Sequence, residues 1–117
     1  MKKKLIKSNA KVNLSLKVLG RNKNKFHKIQ SIISYLDIYD RIYINPVNKK
    51  KHHVHFDGLF SKNLKNNTIT KLLNILEKKN LLKKKYKIQI RKNIPQKSGL
   101  GGGSMNAASV LSFFLKN

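Results

Sequence analysis

Pro95 to Ser109 read PQKSGLGGGSMNAAS, and this stretch decides how the rest of the chain is read. Upstream of it, Tyr86, Ile88 and Ile90 alternate with Lys87, Gln89 and Arg91, the period-two pattern of a half-buried strand. Downstream, Ala107, Ala108, Leu111 and Leu115 recur at helical spacing, and Val110 and Phe114 widen the apolar face. Between strand and helix stand Gly99 and Gly101 to Gly103. Without Cβ atoms they let the backbone turn sharply and approach a ligand closely. The unit delivers a helix N-terminus, where unpaired N–H groups and the helix dipole favour an anion, so the loop reads as a phosphate cradle. Ser104 and Asn106 add side-chain donors. The plainer alternative is a glycine-rich turn with no ligand. Two other glycine motifs fail by inspection: a P-loop needs Lys then Ser or Thr after its last glycine, and the dinucleotide fingerprint starting at Gly99 needs glycine where Ser104 stands.

Residue for residue, the loop resembles the ATP-binding motif of the GHMP kinase superfamily: Pro, a few variable residues, Gly-Leu-Gly-Gly-Gly-Ser and an Ala-rich helix. The matching positions are Pro95, Gly99, Leu100, Gly101, Gly102, Gly103, Ser104, Ala107 and Ala108. The resemblance implies that Pro95 and the residues from Gly99 to Ser104 bind ATP, with Ser104 also a candidate contact for Mg²⁺. It further implies an α+β fold, the GHMP kinase N-terminal domain. That domain shares its broad fold with a ribosomal-protein domain, an antiparallel-rich sheet carrying two helices.

Length and composition bound the reading. At 117 residues the chain is sized for one domain or a piece of a larger one. It has no cysteine, so disulfides and thiolate zinc sites are excluded. No apolar run approaches the roughly 18 residues that span a bilayer, and the expectation is a cytoplasmic protein with no membrane partner. The formal charge is +23, from 27 Lys plus Arg against 4 Asp plus Glu, which would suit a polyanion. Against that, arginine occurs only at Arg21, Arg41 and Arg91, while lysines come in short runs along the whole chain: Lys2 to Lys4, Lys49 to Lys51, Lys78 with Lys79, and Lys83 to Lys85. A nucleic-acid surface favours arginine's planar fork, and abundant Lys, Asn and Ile is what AT-rich codons produce. A nucleic-acid partner is therefore not the expectation.

The N-terminal segment KLIKSNAKVNLSLKVLG reads as an opening strand, a break at Ser8 and Asn9, and a longer strand from Ala10 to Leu19. Val12, Leu14, Leu16 and Val18 share one face, and Lys11 and Asn13 the other. Ser8, Ala10, Lys11, Asn13 and Leu14 resemble the N-terminal signature of one GHMP branch, the diphosphocytidyl-methylerythritol kinases. After a polar turn, Phe26 and His27 open a strand buried on one side and partly on the other, in which Ile29, Ser31, Ile33 and Tyr35 alternate with Lys28, Gln30, Ile32 and Ser34. In that branch the corresponding segment meets the cytosine of the substrate, so the resemblance implies substrate contacts from Asn13, Phe26 and His27. Phe26 replaces the family's tyrosine and Lys25 its glycine. LDIYD, with Asp37 and Asp40, resembles the family's turn into the next strand, and both acids read as structural. Ile42 and Ile44 alternate up to Pro46, which closes the strand.

His52, His53 and His55 form the one cluster with metal-ligand chemistry. Only His53 and His55 share a strand face, and Asp57 is the sole acid beside them, so a chance cluster is the better reading. Asn67 and Thr68 cap a helix in which Ile69, Leu72, Leu73 and Leu76 fall on one face. Lys78, Lys79 and Asn80 suit its end.

Phosphoryl transfer to an alcohol needs a triphosphate cradle, Mg²⁺ and groups that orient and deprotonate the hydroxyl. The resemblance assigns Lys11 the catalytic role of stabilising charge near the acceptor, with ATP and Mg²⁺ as cofactors and a cytidylyl sugar alcohol as substrate. It implies phosphorylation of the 2-hydroxyl of 4-diphosphocytidyl-2-C-methyl-D-erythritol. The family's catalytic aspartate belongs to an Asp-x-Pro motif, and none of Asp37, Asp40, Asp57 and Glu77 has that context. The whole of residues 1–117 therefore reads as an incomplete GHMP N-terminal domain, poorly active alone, its other half supplied by a longer chain or a second polypeptide. A basic nucleic-acid-binding module, and another GHMP enzyme such as homoserine kinase, are the alternatives.

Overall fold

The computed structural model describes residues 4–21, 27–61, 68–95 and 102–116. Among these residues four strands and two helices follow in the order β1 (Lys4–Arg21), β2 (His27–Val47), β3 (His53–Asp57), α1 (Thr68–Lys78), β4 (Lys85–Arg91) and α2 (Gly102–Lys116). The strands form one sheet in the order β1-β2-β4-β3. Its first two pairings are antiparallel, and β3 with β4 is parallel across the α1 crossover. This is the antiparallel-rich α+β architecture anticipated from the sequence.

Register explains the core. Ile6 lies opposite Ile42, Ile42 opposite Ile90, and Ile90 opposite Phe56, while the neighbouring row joins Ile44, Ile88 and Val54. Residues directly opposite one another across a ladder project to the same face, so these rows make one apolar face. Ile69 and Leu73 of α1 and Val110 of α2 close over it. Ile42, Ile44, Ile88 and Ile90 are fully buried, each stabilising the fold by roughly 1.5–3 kcal/mol through area removed from water. Ile69, Leu73 and Leu76 are the buried positions of α1, with Leu72 at the rim, the face its periodicity predicts.

Helix α1 ends as its sequence dictates. Asn80 adopts φ 57°, the left-handed conformation that asparagine tolerates. Its N–H donates to the carbonyl of Glu77 at 2.9 Å and that of Leu81 to Leu76 at 2.9 Å, the paired bonds of a Schellman stop. Gly58 turns the chain after β3 with φ 96°, and a Cβ there would lie 2.7 Å from the carbonyl oxygen of Lys92.

Four expectations are corrected. The break at Ser8 and Asn9 is no break: β1 is continuous, with a register shift between Asn9 and Lys11. The turn at Leu36 to Asp40 is likewise absorbed into β2. Asn9 pairs with Tyr39 and Lys11 with Tyr35, so the extra residues of β2 bulge there, and the Asn9 side chain donates to the freed carbonyl of Leu36 at 3.1 Å. Beyond this bulge β1 and β2 continue as a two-stranded ribbon, because β4 pairs only with Arg41 to Val47. Among the described side chains there, the apolar alternation marks no core face at Leu14, which is 65% exposed, or at Ile33 and Tyr35, which are exposed as well. Finally, α2 is rotated from the expected face. Asn106 and Val110 are buried and Ala107, Phe113 and Phe114 pack on the core, while Ala108 and Leu115 are exposed. Phe114 meets Tyr86 edge-on at 4.8 Å and Phe113 at 5.2 Å. Burying these rings outweighs burying Leu115.

Candidate functional site

The apolar rows end in a polar one. One step beyond Ile6, Ile42 and Ile90, in phase on the same face, stand Ser8, Asp40 and Lys92, and Ser8 pairs with Asp40 in the ladder. All three are buried, Lys92 to 4% exposure, and Asn106 of α2 lies among them. The Lys92 ammonium donates to Asp40 Oδ2 at 2.5 Å and to Asn106 Oδ1 at 2.7 Å. The Asn106 amide donates to Ser8 Oγ at 2.9 Å and to Asp40 Oδ2 at 3.0 Å. Asp40 Oδ1 accepts the N–H groups of Asn93 at 2.6 Å and Ile94 at 2.9 Å, and the Asn93 side chain donates to the Tyr39 carbonyl at 3.1 Å. A buried charge is tolerated when it is paired and its remaining bonds are met, and here both charges are.

This network fixes the two ends of the glycine segment. Ile94 is held to Asp40 through its backbone, and Gly102, the first residue of α2, sits against it: a Cβ at Gly102 would lie 3.1 Å from Ile94 Cγ2 and 3.6 Å from Lys92 Nζ. Pro95 leaves this pinned segment half-buried. Gly102, Gly103 and Ser104 form the opening turn of α2, and Ser104 faces solvent. A helix start of this kind presents N–H groups without internal partners. The Lys92 charge is spent on Asp40, so among the described residues of this turn a preference for an anion rests on these amides and the helix dipole rather than on Lys92. The opening turn and the exposed Ser104 hydroxyl suit a phosphate, and a phosphate-bound Mg²⁺ needs few protein ligands.

Lys11 is half-buried on β1, three residues past Ser8, or about 10 Å along the strand at the usual rise per residue. The same strand packs on α2. Asn13 pairs with Ile33 two residues on, in register unbroken from Lys11, and His27 opens β2 opposite Arg21. Their side chains, and Phe26, Gly99, Leu100, Gly101 and Asn67, lie outside the described residues. Asn106 corrects an expectation: its amide is consumed by Lys92, Asp40 and Ser8 and donates to no ligand. Sequence reasoning missed Lys92, although the signal was there. Ile88, Ile90 and Lys92 are in phase, and a lysine in a core phase calls for a buried acid.

The four acids are all described. Asp40 is enclosed, Asp57 accepts from Gln89 at 2.6 Å and Arg91 at 3.4 Å, and Glu77 pairs with Lys85 and with His52 Nε2 at 2.7 Å. Asp37 is exposed on β2. The Lys85 hydrogen bond, foremost, holds the Glu77 carboxyl below its usual range, with His52 adding to it against partial desolvation. His52 Nδ1 accepts the Tyr86 N–H at 3.0 Å, so its proton is on Nε2, directed at Glu77. His53 and His55 stack at 6.5 Å on the opposite side, and no group of three metal-ligating side chains occurs among the described residues.

Comparison with known proteins fits this geometry. Residues 67–116 match the GHMP kinases N terminal domain. The chain is 56% identical over 113 residues to 4-diphosphocytidyl-2-C-methyl-D-erythritol kinase of Pelagibacter ubique (strain HTCC1062), covering 95% of this chain and 40% of that protein. It is 38% identical over 106 residues to the enzyme of that name from Clostridioides difficile (strain 630), covering 91% and 36%. A crystal structure of 4-(cytidine 5'-diphospho)-2C-methyl-D-erythritol kinase superposes with a TM-score of 0.67 at 29% identity, over 97% of this chain and 40% of that one. At 15% identity, mevalonate pyrophosphate decarboxylase from Streptococcus pyogenes shares the fold with a TM-score of 0.66, over 99% and 39%. The chain thus spans about two fifths of the length of these relatives. With its mixed sheet, its two helices and its glycine-led α2, the chain shares the fold of these structures and is similar to the GHMP kinases N terminal domain over residues 67–116.

Proposed function

We propose that this chain is the ATP-holding portion of a kinase that phosphorylates the 2-hydroxyl of 4-diphosphocytidyl-2-C-methyl-D-erythritol, a step of non-mevalonate isoprenoid synthesis. The observation that carries the reading is the opening turn of α2, led by Gly102 and Gly103 and seated on a buried polar row, a helix start whose first N–H groups lack partners within the helix. Pro95, the residues from Gly99 to Ser104 and the helix dipole bind the triphosphate. Ser104 also offers its hydroxyl to Mg²⁺, which when bound neutralises phosphate charge during transfer. Lys11 stabilises the negative charge that develops near the acceptor, while Asn13, Phe26 and His27 hold the cytidylyl group.

None of the four acids has the Asp-x-Pro context of the family's catalytic aspartate: three are engaged by other groups, and Asp37 lies exposed in the bulge of β2 between the partners of Asn9 and Lys11. The base therefore comes from outside residues 1–117, and the chain alone binds nucleotide weakly and turns over little. Calorimetric titration tests this. ATP with Mg²⁺ and a cytidylyl alcohol should bind where homoserine does not. No heat with ATP, or turnover of the cytidylyl alcohol at an ordinary enzymatic rate by this chain alone, contradicts the reading.

A further inference from the structure

In sequence the lysine runs look scattered, but the fold gathers two of them. Lys49 to Lys51 lie in the bend between β2 and β3, and Lys83 to Lys85 lead into β4. Because β2 and β4 pair with Val47 opposite Lys85, the two runs meet at one end of the sheet. Two concavities result there, of about 480 Å³ and 440 Å³, which share Val47 and Lys49. Lys50, Lys51 and Lys87 border the first, and Lys83, Lys84 and Lys85 the second. No Asp or Glu lines either one. Glu77, on the helix behind, is engaged by Lys85 and His52, so the remaining lysines carry their charge uncompensated into solvent.

We propose that this end of the sheet is a docking surface for the phosphate backbone of a nucleic-acid duplex, separate from the nucleotide site at α2. Clustered cations that displace counterions from a polyanion gain affinity through the release of those ions. The chemistry selects the partner further. The linings contain lysine and no arginine, so they carry point charges without the bidentate fork that reads guanine. Phe, Tyr and Trp are absent from both, and of the two imidazoles in the first, His52 is held by Glu77 and the Tyr86 N–H while His53 stacks on His55, so the linings lack the succession of open rings on which single-strand binders stack their bases. Leu, Ile and Phe are absent too, so the linings lack the apolar side chains with which an amphipathic surface helix enters the lipid. A regular double helix, bound through its phosphates and without regard to sequence, is the polyanion that fits.

The test uses the full chain, a fluorescein-labelled 20-base-pair duplex of mixed sequence, and vesicles containing phosphatidylserine. A triple variant Lys49→Gln, Lys84→Gln, Lys87→Gln is compared with a control that removes equal charge elsewhere, Lys7→Gln, Lys71→Gln, Lys116→Gln. Duplex affinity of the first should fall at least about tenfold in low salt, and its plot of log affinity against log salt should flatten by about 0.9 for each phosphate no longer neutralised. The control should keep most of its affinity and slope. Equal losses in the two variants would show that net charge alone is at work and overturn the proposal. So would a wild-type chain that ignores the duplex in low salt, or a patch variant impaired only toward vesicles.

Discussion

Asn106 donates its amide to the Ser8 hydroxyl at 2.9 Å, tying the helix that follows the glycine loop to the opening strand across almost the whole chain. The two segments that carry the family resemblance, one with Ser8 and Lys11 and the other with the glycines, therefore meet through a buried polar row. That row depends on Asp40 and Lys92, since each contacts Asn106 directly.

Breaking this pair by one partner should be costly. Lys92→Met leaves Asp40 buried with a charge it must keep or neutralise, and Asp40→Leu strands the ammonium. Each is expected to destabilise by about 3–5 kcal/mol, the scale for uncompensated buried charges. The double variant should cost less than the sum of the two. Urea denaturation of the three variants checks this, and strict additivity would contradict it.

Two glycines are demanded by packing geometry, whatever ligand they meet. At Gly58 an added Cβ would lie 2.7 Å from the backbone oxygen of Lys92 and 2.8 Å from its backbone nitrogen, and the backbone is left-handed. Gly58→Ala should destabilise by about 1–3 kcal/mol. Gly102→Val drives a branched side chain into Ile94 and should cost about 1–3 kcal/mol by overpacking. Thermal melts read both.

Acid sensitivity should centre partly on Glu77. Its carboxyl is held low, chiefly by the Lys85 hydrogen bond, so it protonates less readily folded than unfolded. Its contribution is present above the usual carboxylate value of 4.5 and is lost as pH falls through the lower folded value. Glu77→Gln should be modestly less stable at pH 7 and show a shallower loss of stability below about pH 4.5. Urea midpoints measured from pH 7 to 3 test this, and parallel curves for the two proteins would rule it out.

The core and the rotated face of α2 predict a contrast. Leu73→Ala empties a fully buried position and should cost about 2–5 kcal/mol. Leu115, 62% exposed, should tolerate alanine within about 0.5 kcal/mol. Urea midpoints of the two variants read the difference.

Much of this was legible in the sequence because the governing signals were local. The alternation of Tyr86, Ile88 and Ile90, the face of Ile69, Leu73 and Leu76, and the left-handed stop at Asn80 all follow from spacing and backbone preference. What was not legible was set by partners distant in sequence. The bulge opposite Asn9 reads as a break or a turn until β1 and β2 are paired. The facing of α2 depends on Tyr86 accepting Phe114, and the fate of the Asn106 amide on Lys92 and Ser8. The lysine runs, too, looked dispersed because their meeting is a property of strand pairing. At the candidate site the glycine motif was plain from composition and order, whereas the buried row beneath it was hidden in three separate strands and segments.

The central claim is that the opening turn of α2 holds the phosphates of ATP. It is tested most directly by amide NMR of the ¹⁵N-labelled chain titrated with ATP and Mg²⁺. Resonances of Gly102, Gly103 and Ser104 should shift in a saturable manner, with those of Asn80 and Leu81 at the far end of α1 unmoved. Saturable binding that leaves the Gly102 to Ser104 amides unchanged, or no binding at all, would contradict the account.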